Sequence, residues 1–135
     1  MFKMPWLNMI EIVSNAVKER GFSRPLILGG YVTVTKRLYS EYLSGAVYPQ
    51  PEQQESVLEM IRYAKKNGGS IVGISEQGRL GLCRIDERGR DCVVLACTEL
   101  SIYFLHNYPG TLNGLPIIDS SLELAKAAIK YARKK

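Results

Sequence analysis

Four short apolar runs punctuate the chain: Leu26-Ile27-Leu28 behind Pro25, residues 46–49, Cys92-Val93-Val94-Leu95-Ala96, and Leu115 to Ile118. Each is too brief for a membrane span and is apolar at successive rather than alternate positions. That pattern marks strands buried on both faces, as in a parallel sheet. Stretches of helical period lie between them, and strands alternating with helices fold as a parallel sheet covered on both sides. The expectation is a single domain over residues 1–135, a three-layer α/β/α lobe. It would have about four parallel strands in the spatial order 2-1-3-4, joined by right-handed crossovers.

The helical stretches can be placed from their caps. Trp6, Met9, Ile10, Val13 and Val17 recur at helical spacing, so residues 5–20 read as an amphipathic helix. Pro5 suits its first turn, Gly21 its end, and Trp6 its anchor. Thr33 is a plausible N-cap for a helix carrying Val34, Leu38, Tyr39 and Tyr42. Pro51, Glu52, Gln53 and Glu55 open a third helix with Val57, Met60, Ile61 and Ala64 inward, closed by Lys65, Lys66 and Gly68. Within residues 69–90, Ser70 to Ile74 suit a strand and residues 76–88 a helix ending at Gly89. A short helix is expected at 98–106. In the last helix, 120–133, Leu122, Ala125, Ile129 and Ala132 form the stripe expected to be buried.

Composition narrows the function. With 46% hydrophobic and 23% charged residues in 135, the chain reads as a globular domain with room for one core. No apolar run could cross a bilayer, and Met1-Phe2-Lys3-Met4-Pro5 does not begin as a secretory leader does, so a cytoplasmic protein is expected. The net charge of +5 invites a nucleic-acid reading. However, Lys126, Lys130, Arg133, Lys134 and Lys135 crowd the C-terminus, where a helix dipole favours cations without any ligand. No basic stripe is interleaved with aromatics, so neither nucleic acid nor membrane is an expected partner.

The cysteines, Cys83, Cys92 and Cys97, form no CxxC pair, and His106 is the single histidine, in a polar loop. No metal site is therefore expected. Cys92 begins a strand and reads as core; Cys83 is ambiguous. Cys97 stands where a buried strand gives way to a helix. Ligands gather at such strand ends, and a helix N-terminus favours a thiolate. Position alone leaves both packing and catalysis open for it. Gly29-Gly30, with Thr33, ends another strand on the same edge and offers backbone N–H groups to an anion such as a carboxylate. Asp119 and Ser120 end a third, where capping of the last helix is their expected role.

These segments also carry a resemblance. Leu95-Ala96-Cys97-Thr98-Glu99-Leu100 resembles the GCTEL segment of the aspartate/glutamate racemase family. Leu28 to Thr33, with Tyr39, is similar to its LGTxxT…Y segment. Ile61 to Gly68, with Lys66 two places before the glycine, resembles another, and Pro116 to Ser121 resembles the closing strand with its aspartate. Order and spacing agree over about residues 30–130. The match is to the second lobe of a two-lobe family whose cleft receives one cysteine from each lobe.

The resemblance implies racemisation of aspartate, glutamate or a similar acidic amino acid without pyridoxal phosphate or metal. One thiolate removes the α-proton and a thiol on the other face returns one. It assigns Cys97 as the acid/base, Thr98 as lining beside it, and Gly29, Thr33 and Lys66 as substrate-binding. Two positions depart from the pattern: Gly30 stands where the family usually has threonine, and Leu124 where many members have histidine. A first lobe with its own cysteine is also missing from the match.

Three functions follow as expectations. Two copies could pair as a homodimer so that each contributes Cys97 to a shared cleft. Alternatively, the chain is a non-catalytic binding lobe that needs a separate first-lobe subunit. A third class, a hydrolase or isomerase with Cys97 as nucleophile, lacks a good base nearby.

Overall fold

The computed structural model describes residues 8–66, 89–97, 99–101, 111–112 and 114–133. Trp6, Cys83, Thr98, His106, the strand expected at 70–74 and the helix expected at 76–88 lie outside the described residues.

Helix α1 (Met9–Glu19) begins at Asn8, whose side chain accepts the Glu11 N–H at 3.2 Å. It stops at Gly21, with φ +81°. There the Phe22 N–H returns to Val17 O and the Gly21 N–H to Lys18 O, the pairing that closes a helix through a left-handed residue. Strand β1 (Pro25–Leu28) follows, buried throughout, and leads through Gly29-Gly30 into α2 (Tyr31–Thr35). Then come α3 (Pro51–Lys66), β2 (Cys92–Leu95), β3 (Thr111–Leu112), β4 (Leu115–Asp119) and α4 (Ser120–Arg133).

The sheet runs β1-β2-β4-β3, with the first three strands parallel and β3 antiparallel to β4. Val47 adds one parallel bridge on the outer side of β1. The expected order therefore holds, but the second strand is a single bridge. Pro49, having no N–H, cannot carry the ladder further. Short β3 was not expected; Gly114, at φ +82°, makes the turn into β4.

The two faces separate by strand alternation. Leu26, Leu28, Val93 and Leu95 pack under Val57, Met60 and Ile61 of α3, with Leu100 and Leu112. Ile27, Cys92, Val94, Ala96 and Ile118 face the other way, under Val13 and Val17 of α1 together with Tyr39, Leu43 and Tyr48. This is the three-layer α/β/α arrangement.

Several expectations are corrected. Helix α1 does not open at Pro5: Asn8 is its extended N-cap. Thr33 does not cap a helix: Gly30 is the N-cap of α2 and Thr33 lies inside it. That helix also ends early. Arg37 takes the left-handed conformation at φ +49°, with the Leu38 N–H on Thr33 O, and its guanidinium lies 5.1 Å from the centre of the Tyr48 ring. In α4 the expected inward stripe is turned out: Leu122 and Ile129 are 52% and 54% exposed, and Ala125 and Ala132 are exposed too. Ser120 and Glu123 are buried instead. On that inward face Glu123 pairs with Arg20 from the end of α1 at 3.0 Å.

Among the described residues no helix is long and apolar enough to cross a membrane.

The buried acids of this core predict alkaline sensitivity. Burial, with the Asp91 charge behind it, pushes the Cys92 thiol from 9.0 up to about 12; burial likewise pushes the Tyr39 hydroxyl from 10.0 to about 12. The fold keeps the neutral forms, so their stabilisation is complete below the unfolded-chain values and is lost as pH rises towards the folded ones. Denaturant midpoints should fall steadily between about pH 9 and about pH 11, and Cys92→Val should flatten part of that slope. A level profile over that range would contradict the burial of both groups.

Candidate functional site

Register decides what meets at the sheet's carboxyl edge. Leu28 pairs with Leu95, and Leu95 with Asp119, so three strands end level with one another. The ladder continues one bond further, from the Ala96 N–H to Leu28 O at 2.8 Å. Gly29-Gly30, Ala96-Cys97 and Asp119-Ser120 therefore lie along one rim.

The two-glycine turn is close-packed on one side and open on the other. A Cβ added at Gly29 would lie 3.2 Å from the Thr33 methyl and 3.3 Å from Ala96 Cβ, so this backbone approaches β2 as no larger residue could without displacement. Thr33 is thus brought against the turn, as the sequence suggested, though from within α2. At Gly30 an added Cβ meets nothing within 4 Å, and the backbone there is extended. Gln54, in the first turn of α3, donates its amide to Gly29 O at 3.1 Å and ties that helix to the turn.

Cys97 is half-buried on the α3 side of the sheet, and its Sγ donates to Glu99 Oε2 at 2.8 Å. Burial raises the thiol's pKa first and the Glu99 hydrogen bond raises it further; the backbone amides of Glu99 and Leu100 pull it down in part. The same thiol contact is the largest influence on Glu99 and lowers its carboxyl, with the charge of Lys65 adding to it. Both partners point to one resting state, neutral thiol beside carboxylate. The lysine whose charge reaches this pair is Lys65. Lys66 is exposed at the end of α3, along a surface hollow with Glu55, Glu59, Arg62 and Tyr63. Thr98 lies outside the described residues.

Asp119 takes the capping role expected for it or Ser120: its Oδ1 accepts the Ser121 N–H at 2.9 Å. The same oxygen accepts the Ser101 hydroxyl at 2.6 Å, and the Ser101 N–H donates to Cys97 O at 3.1 Å. Sequence reasoning missed four residues here. Glu99 stood in the segment already singled out, two places from the cysteine. Gln54, Lys65 and Ser101 gave no local signal, because their partners come from other elements. Among the described residues no three His, Cys, Asp or Glu side chains gather as metal ligands would.

No protein-family model matches the chain. Solved structures do. An aspartate racemase from Picrophilus torridus superposes with a TM-score of 0.73 at 29% identity, over 98% of this chain and 55% of that one. A candidate Asp/Glu racemase from Yersinia pestis gives 0.76 at 22%, over 96% and 56%. An aspartate racemase homologue from Pyrococcus horikoshii gives 0.68 at 23%, over 97% and 57%. The chain thus has an α/β fold shared with these structures along nearly all its length, and it spans little more than half the length of each.

Proposed function

We propose that the chain is half of a cofactor-independent racemase for aspartate, glutamate or a similar acidic amino acid, with Cys97 as the acid/base at the α-carbon. The observation that carries this reading is the Cys97–Glu99 hydrogen bond, at the end of the central strand and on the rim shared with Gly29. The likeness at 29% identity to an aspartate racemase supports it.

In this reading the resting thiol is the proton donor. It delivers its proton to the face of a planar, deprotonated α-carbon, and the sulfur becomes a thiolate. The Glu99 and Leu100 amides are placed to hold that charge. In the reverse direction the thiolate removes the α-proton. Gly29 and Thr33 would receive a substrate carboxylate on the neighbouring turn, with Thr98 beside the thiol. Lys66 is a more distant candidate and would need substrate to extend towards the end of α3.

One thiol serves one face of one carbon, so inversion needs a second acid/base opposite. A second copy related by a two-fold axis would bring its own Cys97. The other reading is a binding lobe that awaits a separate first-lobe subunit.

Exchange of the α-proton of aspartate and glutamate in deuterated water tests the catalytic reading. Cys97→Ser should slow exchange by about 100-fold or more, the usual scale for losing a general acid/base. Exchange no faster in the parent than in that variant would overturn it, and dicarboxylate binding without exchange would favour the binding lobe.

Gly30→Thr offers a second test, because the open space there admits a side chain. It should fold with little change in stability, since threonine and glycine are about equal as N-caps, and lower the KM for aspartate by adding a hydroxyl at the turn. An unchanged or raised KM with intact folding would remove this turn from the substrate site.

A further inference from the structure

We propose that Ser101 is a positioning residue for Cys97, bridging Asp119 at the end of β4 to the turn that carries the sulfur. The inference rests on reading Cys97 as the proton-transfer group.

The bridge is short and sheltered. Ser101 is 7% exposed, and its hydroxyl meets Asp119 Oδ1 at 2.6 Å, a charge-assisted contact with little competing water. That carboxylate is itself held in place, because Oδ1 also accepts the Ser121 N–H at 2.9 Å at the start of α4. On its other side Ser101 closes the turn through its N–H to Cys97 O. The Ser101 hydroxyl also lies 3.4 Å from that carbonyl. A hydroxyl has one proton to give, and the closer carboxylate takes it.

The backbone amides that pull the thiol down, those of Glu99 and Leu100, lie between Cys97 and Ser101 in sequence. The first turn of a helix has N–H groups without intrahelical partners and frays when nothing fixes it. Asp119, acting through Ser101, fixes this turn to the sheet. The consequence is chemical as well as structural. If the tie is cut, the amides lose their aim at the thiolate, the thiol becomes harder to ionise, and Cys97 reacts more slowly.

Alkylation of Cys97 by iodoacetamide reads this directly on the full chain. The rate is followed from about pH 6 to about pH 11 on the peptide that carries Cys97. Ser101→Ala should slow the reaction near neutral pH about three- to tenfold and move its midpoint upward, as expected when thiolate stabilisation is lost. Ser101→Thr keeps the hydroxyl and should restore the parent profile, whereas Ser101→Val, of the same shape, should behave as Ala. Coincident Thr and Val profiles would overturn the proposal. So would unfolding of the Ala or Val variant by circular dichroism, since the group would then hold the fold and not the thiol. Alkylation needs no turnover, so the two readings fail separately. Absent α-proton exchange with a Ser101-dependent profile sinks the racemase and leaves this inference standing. Exchange with a profile indifferent to Ser101 does the reverse.

Discussion

The in-register parallel ladder through Leu28, Leu95 and Asp119 is the constraint on which the rest depends. Side chains alternate along a strand, so a shift of one residue in either pairing would exchange the two faces of that strand. Leu28 and Leu95 would then leave the core under α3, and Ile27 and Val94 would leave the core under α1. The same shift would move Cys97 to the opposite face and separate Asp119 from Ser101. Hydrophobic burial on two faces thus fixes, as a by-product, the position of the groups at the rim. The strand starts are held too: Asp91 accepts the Ser23 and Arg24 N–H groups at 2.8 and 3.0 Å and locks the opening of β1 beside that of β2.

On that scaffold the rim is built from pairs, each joining a local segment to a distant one. Gln54 joins α3 to the two-glycine turn, Ser101 joins the Cys97 turn to β4, and Lys65 adds its charge to Glu99. The Cys97–Glu99 contact alone is local. A thiol placed beside a carboxylate at 2.8 Å keeps its proton, since ionising it would set two like charges against each other. Two backbone amides pull the other way and offset part of that rise. Proton transfer to and from carbon, as proposed for Cys97, needs a group that can hold both states.

How much of this could be read from the residues follows from the same distinction. The buried strands were legible because parallel strands lose their alternation, and the Cys92 to Ala96 run does so plainly. The spatial order was legible through Val47, β1, β2 and β4, although Pro49 reduces the second strand to one bridge. The ends of α3 and α4 and the C-terminal end of α1 lay close to their caps, and capping is local chemistry; the start of α1 did not, since Asn8 and not Pro5 opens it. The facing of α4 was not legible. Leu122, Ala125, Ile129 and Ala132 have the spacing of a buried stripe, but the inward face is the one carrying Glu123, paired with Arg20 103 residues away. Periodicity reports that a face is apolar; it does not report which neighbour that face meets. Ser101 and Gln54 were missed for the same reason, with partners 18 and 25 residues distant.

The resting state of the rim bears on the reactivity of Cys97. A thiolate standing permanently at an open strand edge would be alkylated and oxidised by whatever reached it. A neutral thiol, raised by burial and by Glu99, is protected from both. In a two-base racemase one sulfur must be protonated while the other is not, and assembly is the step that can break the symmetry between them. If the second group comes from another copy, both arrive protonated and one must lose its proton on closure. The Glu99 carboxyl is itself lowered by the thiol contact and so does not compete for that proton, which keeps the pair in its neutral-thiol state.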